Sequence, residues 1–113
     1  AGKWPLWLAP CQIVICTITQ DADNYAHEVK TQTEERGLRV LLDNRNEKIG
    51  YKIREHSENK IPILFIVGNK EIESKQVSVR RLGSKEQINL DLIEALDKYK
   101  LQALPPDLAR DVK

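Results

Sequence analysis

Asp43-Asn44-Arg45-Asn46-Glu47-Lys48-Ile49-Gly50-Tyr51-Lys52-Ile53-Arg54-Glu55 carries the densest set of chemically able side chains in this 113-residue sequence. It places an Arg, an Asn and a Lys where an apolar strand gives way to a helix. A helix N-terminus presents free backbone N–H groups that suit phosphate. Lys48, Lys52 and Glu55, or Lys48, Tyr51 and Glu55, share a face at helical spacing. A solvated, charge-alternating helix is the plain alternative. A second stretch, Ser74 to Lys85, holds Lys75, Arg80, Arg81 and Lys85 and no acid. If the two stretches meet, Arg45, Lys48, Arg80 and Arg81 make one basic face. Tyr51 then adds a stacking ring of the kind that single-stranded RNA recognition favours. The alternative is an edge strand guarded by basic residues against aggregation.

Other chemistries find less support. There is no G-x-x-x-x-G-K-[ST] and no G-x-G-x-x-G, so no glycine-rich phosphate loop. His27 and His56 fall on different expected helices without a partner at metal-ligand spacing, and both read as helix-surface residues. Cys11 and Cys16 lack an activating base. Their C-x4-C spacing is expected to put two free thiols on opposite faces of one strand. Asp43, Glu47 and the E-x-K tripeptide Glu73-Ser74-Lys75 admit a small metal-dependent nuclease. Charged residues make up 31% of the chain, however, so an E-x-K arises easily by chance.

Composition narrows the class. Hydrophobic residues make up 41%, enough to bury a core, and the length suits one domain. Eighteen basic and 17 acidic residues leave a net charge of +1. A nucleic-acid site must therefore be local and shaped rather than a product of bulk charge. The longest apolar run, Ile61 to Val67, is far shorter than the ~20 residues of a membrane-spanning helix. The opening, with Trp4, Pro5, Trp7, Leu8 and Pro10, is no signal peptide. It reads as a lead-in packed on something, with at least Trp7 against this domain.

These groups need elements to position them. Gln12–Ile18 is β-branched and reads as a buried strand. Thr19 or Asp21 caps a helix carrying Ala22, Tyr25, Ala26, Val29 and Thr33, and Gly37 ends it. Leu38–Leu42 is a second strand. Glu47 to about Asn59 is a second helix with Ile49 and Ile53 on one face. Ile61–Val67 is the central strand, and Gly68-Asn69 a turn. Glu71–Leu82 reads as one or two antiparallel strands. Asn89 or Asp91 starts a last helix with Leu90, Ile93 and Leu96 inward. The β-α-β-α-β-β-α pattern implies an α/β fold, a mixed sheet parallel at its centre with helices on both faces. Its ligand crevice is expected at the carboxyl ends of the strands, around Thr17–Asp21, Leu42–Glu47 and Val67–Lys70.

Three stretches together resemble one family. They are Trp7-Leu8-Ala9-Pro10, the run Asn44 to Glu55, and Val67-Gly68-Asn69-Lys70-Glu71 followed by Val77-Ser78-Val79-Arg80. They look like the C-terminal anticodon-binding domain of bacterial-type, class II threonyl-tRNA synthetase, from about Gly2 to Leu96. The resemblance implies a three-layer α/β/α fold with a five-stranded mixed sheet. It implies a tRNA partner and a cytoplasmic protein. It also implies a homodimeric parent enzyme that activates threonine, with ATP, Mg and Zn held upstream, so that the piece itself carries no cofactor. Residues 1–10 would then be a linker from an upstream catalytic domain, 11–100 the anticodon-binding domain and 101–113 a C-terminal tail. The family's anticodon-reading positions fall on Asn46, Glu71 and Arg80, with Arg45, Lys48, Tyr51, Arg81 and Lys85 left for RNA backbone or stacking. Where Lys75 stands, many relatives have Gly. A same-fold accessory or stand-alone tRNA-binding protein is the alternative.

The base chemistry agrees. Threonine anticodons share a middle G and a last U. An unpaired G shows N1–H and N2–H₂ donors on its Watson–Crick edge, which a carboxylate such as Glu71 accepts. Its O6 and N7 suit an Arg fork such as Arg80. An Asn such as Asn46 matches U at O4 and N3–H.

Overall fold

The computed structural model describes residues 6–84 and 86–103; Trp4, the Trp7 side chain, Lys85 and the tail after Ala103 lie outside the described residues. The β-branched run Ile13–Thr17 forms strand β1, buried at every position. A 3-10 turn, Gln20–Ala22, leads into helix α1, Asp23–Glu35, which buries Tyr25, Ala26, Val29 and Thr33 at helical spacing. Gly37 follows at φ +78°, where a residue without Cβ is free of strain. Strand β2 (Val40–Asp43), helix α2 (Ile49–Glu58) and the wholly buried strand β3 (Ile63–Val67) come next. A short helix α3 (Asn69–Ser74) precedes strands β4 (Gln76–Arg81) and β5 (Gln87–Asp91). Helix α4, Leu92–Gln102, closes the order, its N-cap Asp91 accepting a hydrogen bond from the Ile93 N–H.

The sheet order is β2-β1-β3-β4-β5. β1 runs parallel to β2 and β3, and β4 runs antiparallel to β3 and β5. The larger core lies between one sheet face and α1 with α4: Ile15, Phe65 and Val79 meet Val29, Leu96 and Tyr99. On the other face Val14, Cys16 and Leu64 pack against Ile49 and Ile53 of α2. This is the three-layer α/β/α arrangement with a five-stranded mixed sheet. The inner parallel strands β1 and β3 are buried at every position because helices cover them on both faces. Among the described residues no helix is long and apolar enough to cross a membrane.

Several expectations are corrected. Glu71 is on helix α3, not on a strand: its carboxylate accepts the Gly68 N–H at 2.8 Å and starts a helical turn. Six residues are too few for periodicity to announce a helix. The expected strand pair splits around Gly83, so β5 occupies residues read as loop and helix start. β4 is paired on both sides, which removes the reading of it as a guarded edge. Ile93 is 46% exposed; Leu96 faces inward as expected, with Leu92, Ala95 and Tyr99 beside it. Cys11 precedes β1 rather than belonging to it, so alternation does not apply, and it packs on the same cluster as Cys16. Both cysteines are free thiols.

Candidate nucleic-acid interface

The junction after β2 is built around a buried acid. Asp43 is 4% exposed. Arg45 folds back on it, Nε donating to Oδ1 and Nη2 to Oδ2, each at 2.9 Å. The same Nη2 donates to Glu55 Oε2 at 3.1 Å, and the guanidinium lies 5.8 Å from the Tyr51 ring centre. His56 Nε2 approaches Asp43 Oδ2 at 2.7 Å. Burial alone would raise the Asp43 carboxyl; hydrogen bonds from Arg45 and His56 outweigh it and bring the pKa down to about 2. Arg45 is thus held within the loop. Asn46 and Lys48, beyond it, are exposed, with no side-chain hydrogen bond or ion pair among the described residues. Lys52 does not share their face: it is 1% exposed, and Nζ donates to the Thr17 carbonyl at 2.8 Å and to Thr17 Oγ1 at 3.2 Å. Beside the loop, Thr17, Gln20, Asp23 and Asn44 line a cleft of about 330 Å³, and Asn44 Nδ2 donates to Asp23 Oδ1.

The second patch lies on the same sheet face beyond α2. Register puts Ser78 opposite Asn89 and Arg80 opposite Gln87. Asn89 and Gln87 are exposed and Arg80 is half-buried. Arg80 makes no side-chain hydrogen bond or ion pair among the described residues, so its fork is available. Arg81, one residue on, points to the opposite face, as strand alternation requires. There Nη1 donates to Gln102 Oε1 at 2.8 Å, over the Tyr99 ring. The single basic face of Arg45, Lys48, Arg80 and Arg81 is therefore not formed. Arg45 is paired with acids, and Arg81 lies behind the sheet. Glu71 is 6% exposed; Oε1 caps Gly68, and Oε2 faces Ser78 Oγ at 3.3 Å. Asn46 and Glu71 sit at the carboxyl ends of β2 and β3. Arg80 pairs with Leu64, near the start of β3. The site thus runs from the strand ends down the open sheet face.

Sequence reasoning missed the buried knot. His56 was read as a surface residue but is 5% exposed. Cys16, Asp43 and His56 bring ligand atoms within 4.8 Å of one another, the one such trio among the described residues. Both Asp43 oxygens are already bonded to Arg45 and His56. The Cys16 thiol is pushed up to about 12, by burial first and the Asp43 charge second. The trio therefore reads as a hydrogen-bonded anchor rather than a metal centre. Asp43 is not joined there by Glu47 or Glu73, so the nuclease carboxylates are not assembled. His27 is on the surface, as expected. The legible signal for the knot was the D-x-R turn, Asp43 and Arg45 two residues apart.

Beyond α2 the β4–β5 part of the mixed sheet is left uncovered, with Gln87 and Asn89 exposed and Arg80 half-buried, beside the strand-to-helix loop. The sequence matches the anticodon binding domain family over residues 12–102, and the chain belongs to that family. It is 54% identical over 110 residues to the threonine–tRNA ligases of Phenylobacterium zucineum and Caulobacter vibrioides. Those alignments take in 97% of this chain but only 17% of each relative. Among solved structures, the RNA binding domain of threonyl-tRNA synthetase from Cryptosporidium parvum superposes with a TM-score of 0.87. That match has 28% identity over 92% of this chain and 26% of the other. Histidyl-tRNA synthetase from Nostoc sp. shares the fold at TM-score 0.77 and 21% identity, over 85% of this chain and 23% of that one.

Proposed function

We propose that this chain is the anticodon-reading domain of a threonyl-tRNA synthetase and selects tRNA by the middle G and last U of the threonine anticodon. The observation that carries the reading is Arg80: a half-buried guanidinium on an open stretch of sheet, without a side-chain partner among the described residues, on the same face as Ser78, whose hydroxyl lies 3.3 Å from the Glu71 carboxylate. In this reading Arg80 donates to guanine O6 and N7, Glu71 Oε2 accepts from its Watson–Crick donors, and the exposed Asn46 meets uracil. Lys48 supplies charge toward phosphate, and Tyr51, 51% exposed, offers a stacking ring. Arg81 and Lys85 would touch only backbone. Arg45 acts chiefly by holding the loop that presents Asn46. The likeness to threonine–tRNA ligases at 54% identity supports threonine over the other amino acids. The chemistry of the parent, with ATP, Mg and Zn held on upstream residues, its homodimeric state and its cytoplasmic location belong to the same proposal.

Titration of the chain with anticodon stem-loops tests this. The threonine anticodon should bind best, and Arg80→Ala should flatten preference at the middle base, costing about 1–3 kcal/mol. Glu71→Gln keeps an oxygen for the Gly68 N–H but replaces an acceptor by donors, so it should weaken G specifically. Equal binding of every stem-loop by the unaltered chain would overturn the reading.

A further inference from the structure

One hydroxyl on the open face has two acceptors and a single proton. Ser78 Oγ lies 2.6 Å from Asn89 Oδ1 and 3.3 Å from Glu71 Oε2. A serine hydroxyl donates once. Ser78 is 4% and Glu71 6% exposed, so little bulk water competes for the pair. Two hydrogen-bonding arrangements resolve the conflict, since an Asn amide can present either end. In the first, Ser78 donates to Asn89 Oδ1, Glu71 Oε2 is left open to accept from outside, and Asn89 Nδ2 turns its N–H groups to solvent. In the second, the amide is reversed. Asn89 Nδ2 donates to Ser78, Ser78 donates to Glu71, and Asn89 presents an acceptor.

Resting on the anticodon-reading function above, the geometry points to Asn89 as a further specificity-determining residue at the middle base, coupled to Glu71 through the Ser78 hydroxyl. A base that donates to Glu71 selects the first arrangement, and Asn89 then offers a donor outward. Guanine has that complement on one edge: N1–H and N2–H₂ donate while the adjacent O6 accepts. Adenine presents an unprotonated N1, which a carboxylate oxygen repels, and N6–H₂ in place of O6. The pair Glu71 and Asn89 therefore reads the order of donor and acceptor along the edge, which neither does alone. Asn89 is placed for it. It is exposed on β5, its side chain on the same face as Arg80, and is the diagonal neighbour of Arg80 across the β4–β5 pair. No tertiary contact beyond Ser78 and the strand ladder depends on its amide among the described residues.

The test uses the 113-residue chain with two stem-loops that differ only in G or A at the middle position. Asn89→Ala should lower the G-over-A preference roughly three- to tenfold, chiefly by weakening G, with an unchanged unfolding midpoint. Asn89→Asp, acceptor only, should lower it at least as far. Ser78→Ala should uncouple the pair, after which Asn89→Ala has a smaller effect than in the unaltered chain. If Asn89→Ala leaves the G-to-A ratio where it was, or weakens both stem-loops alike, the inference falls while the anticodon-reading function stands. If the unaltered chain binds G and A equally, both fall.

Discussion

Arg45 grips Asp43 through both carboxylate oxygens, each bond 2.9 Å long, while His56 approaches the second oxygen at 2.7 Å. Forked, charge-assisted pairs of this kind fix direction as well as energy. Asn46 follows directly, so the grip sets where its amide can go.

The Asp43 grip makes stability depend on acid. The folded pKa, about 2, lies below the ordinary 3.8. A lowered carboxyl contributes stability that is present above the unfolded value and lost as pH falls through the folded one. Urea midpoints should therefore fall as pH drops from about 4 toward about 2, and Asp43→Asn should flatten that part of the profile. An identical acid limb in the variant would show that the grip contributes nothing.

Gly68 is tight for space rather than special in its dihedrals. Its backbone is extended, at φ −145°. A Cβ there would lie 3.0 Å from Ile18 Cδ1, 3.3 Å from Ile18 Cβ and 3.4 Å from Glu71 Oε1. Gly68→Ala should destabilise by about 1 kcal/mol, and Ile18→Val, which removes the Cδ1, should recover part of it. Additive losses in chemical unfolding of the double variant would rule out this contact as the cause.

Lys75 ends α3 in the left-handed region, at φ 54° and ψ 44°. A side chain there is strained by its Cβ. The Lys75 ion pair with Glu28, 3.7 Å long and exposed, is worth little. Lys75→Gly should stabilise the chain by up to about 1 kcal/mol. A lower melting temperature would mean that the Lys75 contact over the Tyr25 ring, at 5.5 Å, outweighs the strain.

The thiols should differ in reactivity. Cys16 is fully buried, with its pKa pushed up to about 12; Cys11 is half-buried, its thiol raised mainly by burial. Alkylation of the folded chain, followed by mass spectrometry, should label Cys11 first and Cys16 only on unfolding. Equal rates under native conditions would contradict the packing.

The sequence by itself determined the layers. The runs Ile13–Cys16 and Ile63–Val67 are apolar throughout, and the α1 positions Tyr25, Ala26, Val29 and Thr33 recur at helical period, so local pattern and final burial coincide. The R-N-E-K-I-G-Y-K-I-R-E string was equally legible, because it is one contiguous piece of chain. What only the tertiary structure decided is which polar groups are consumed inside. Lys52 and His56 sit among charged neighbours in sequence, yet the packing of α2 on β1 drives both below the surface. Arg80 and Arg81 are adjacent in sequence and separated by the sheet in space. Ser78 meets Glu71 and Asn89 only because β4 lies between a helix turn and an edge strand. Pattern reports the period of burial along one element; a polar side chain's partner is chosen by elements brought together across the fold, and no local spacing encodes that.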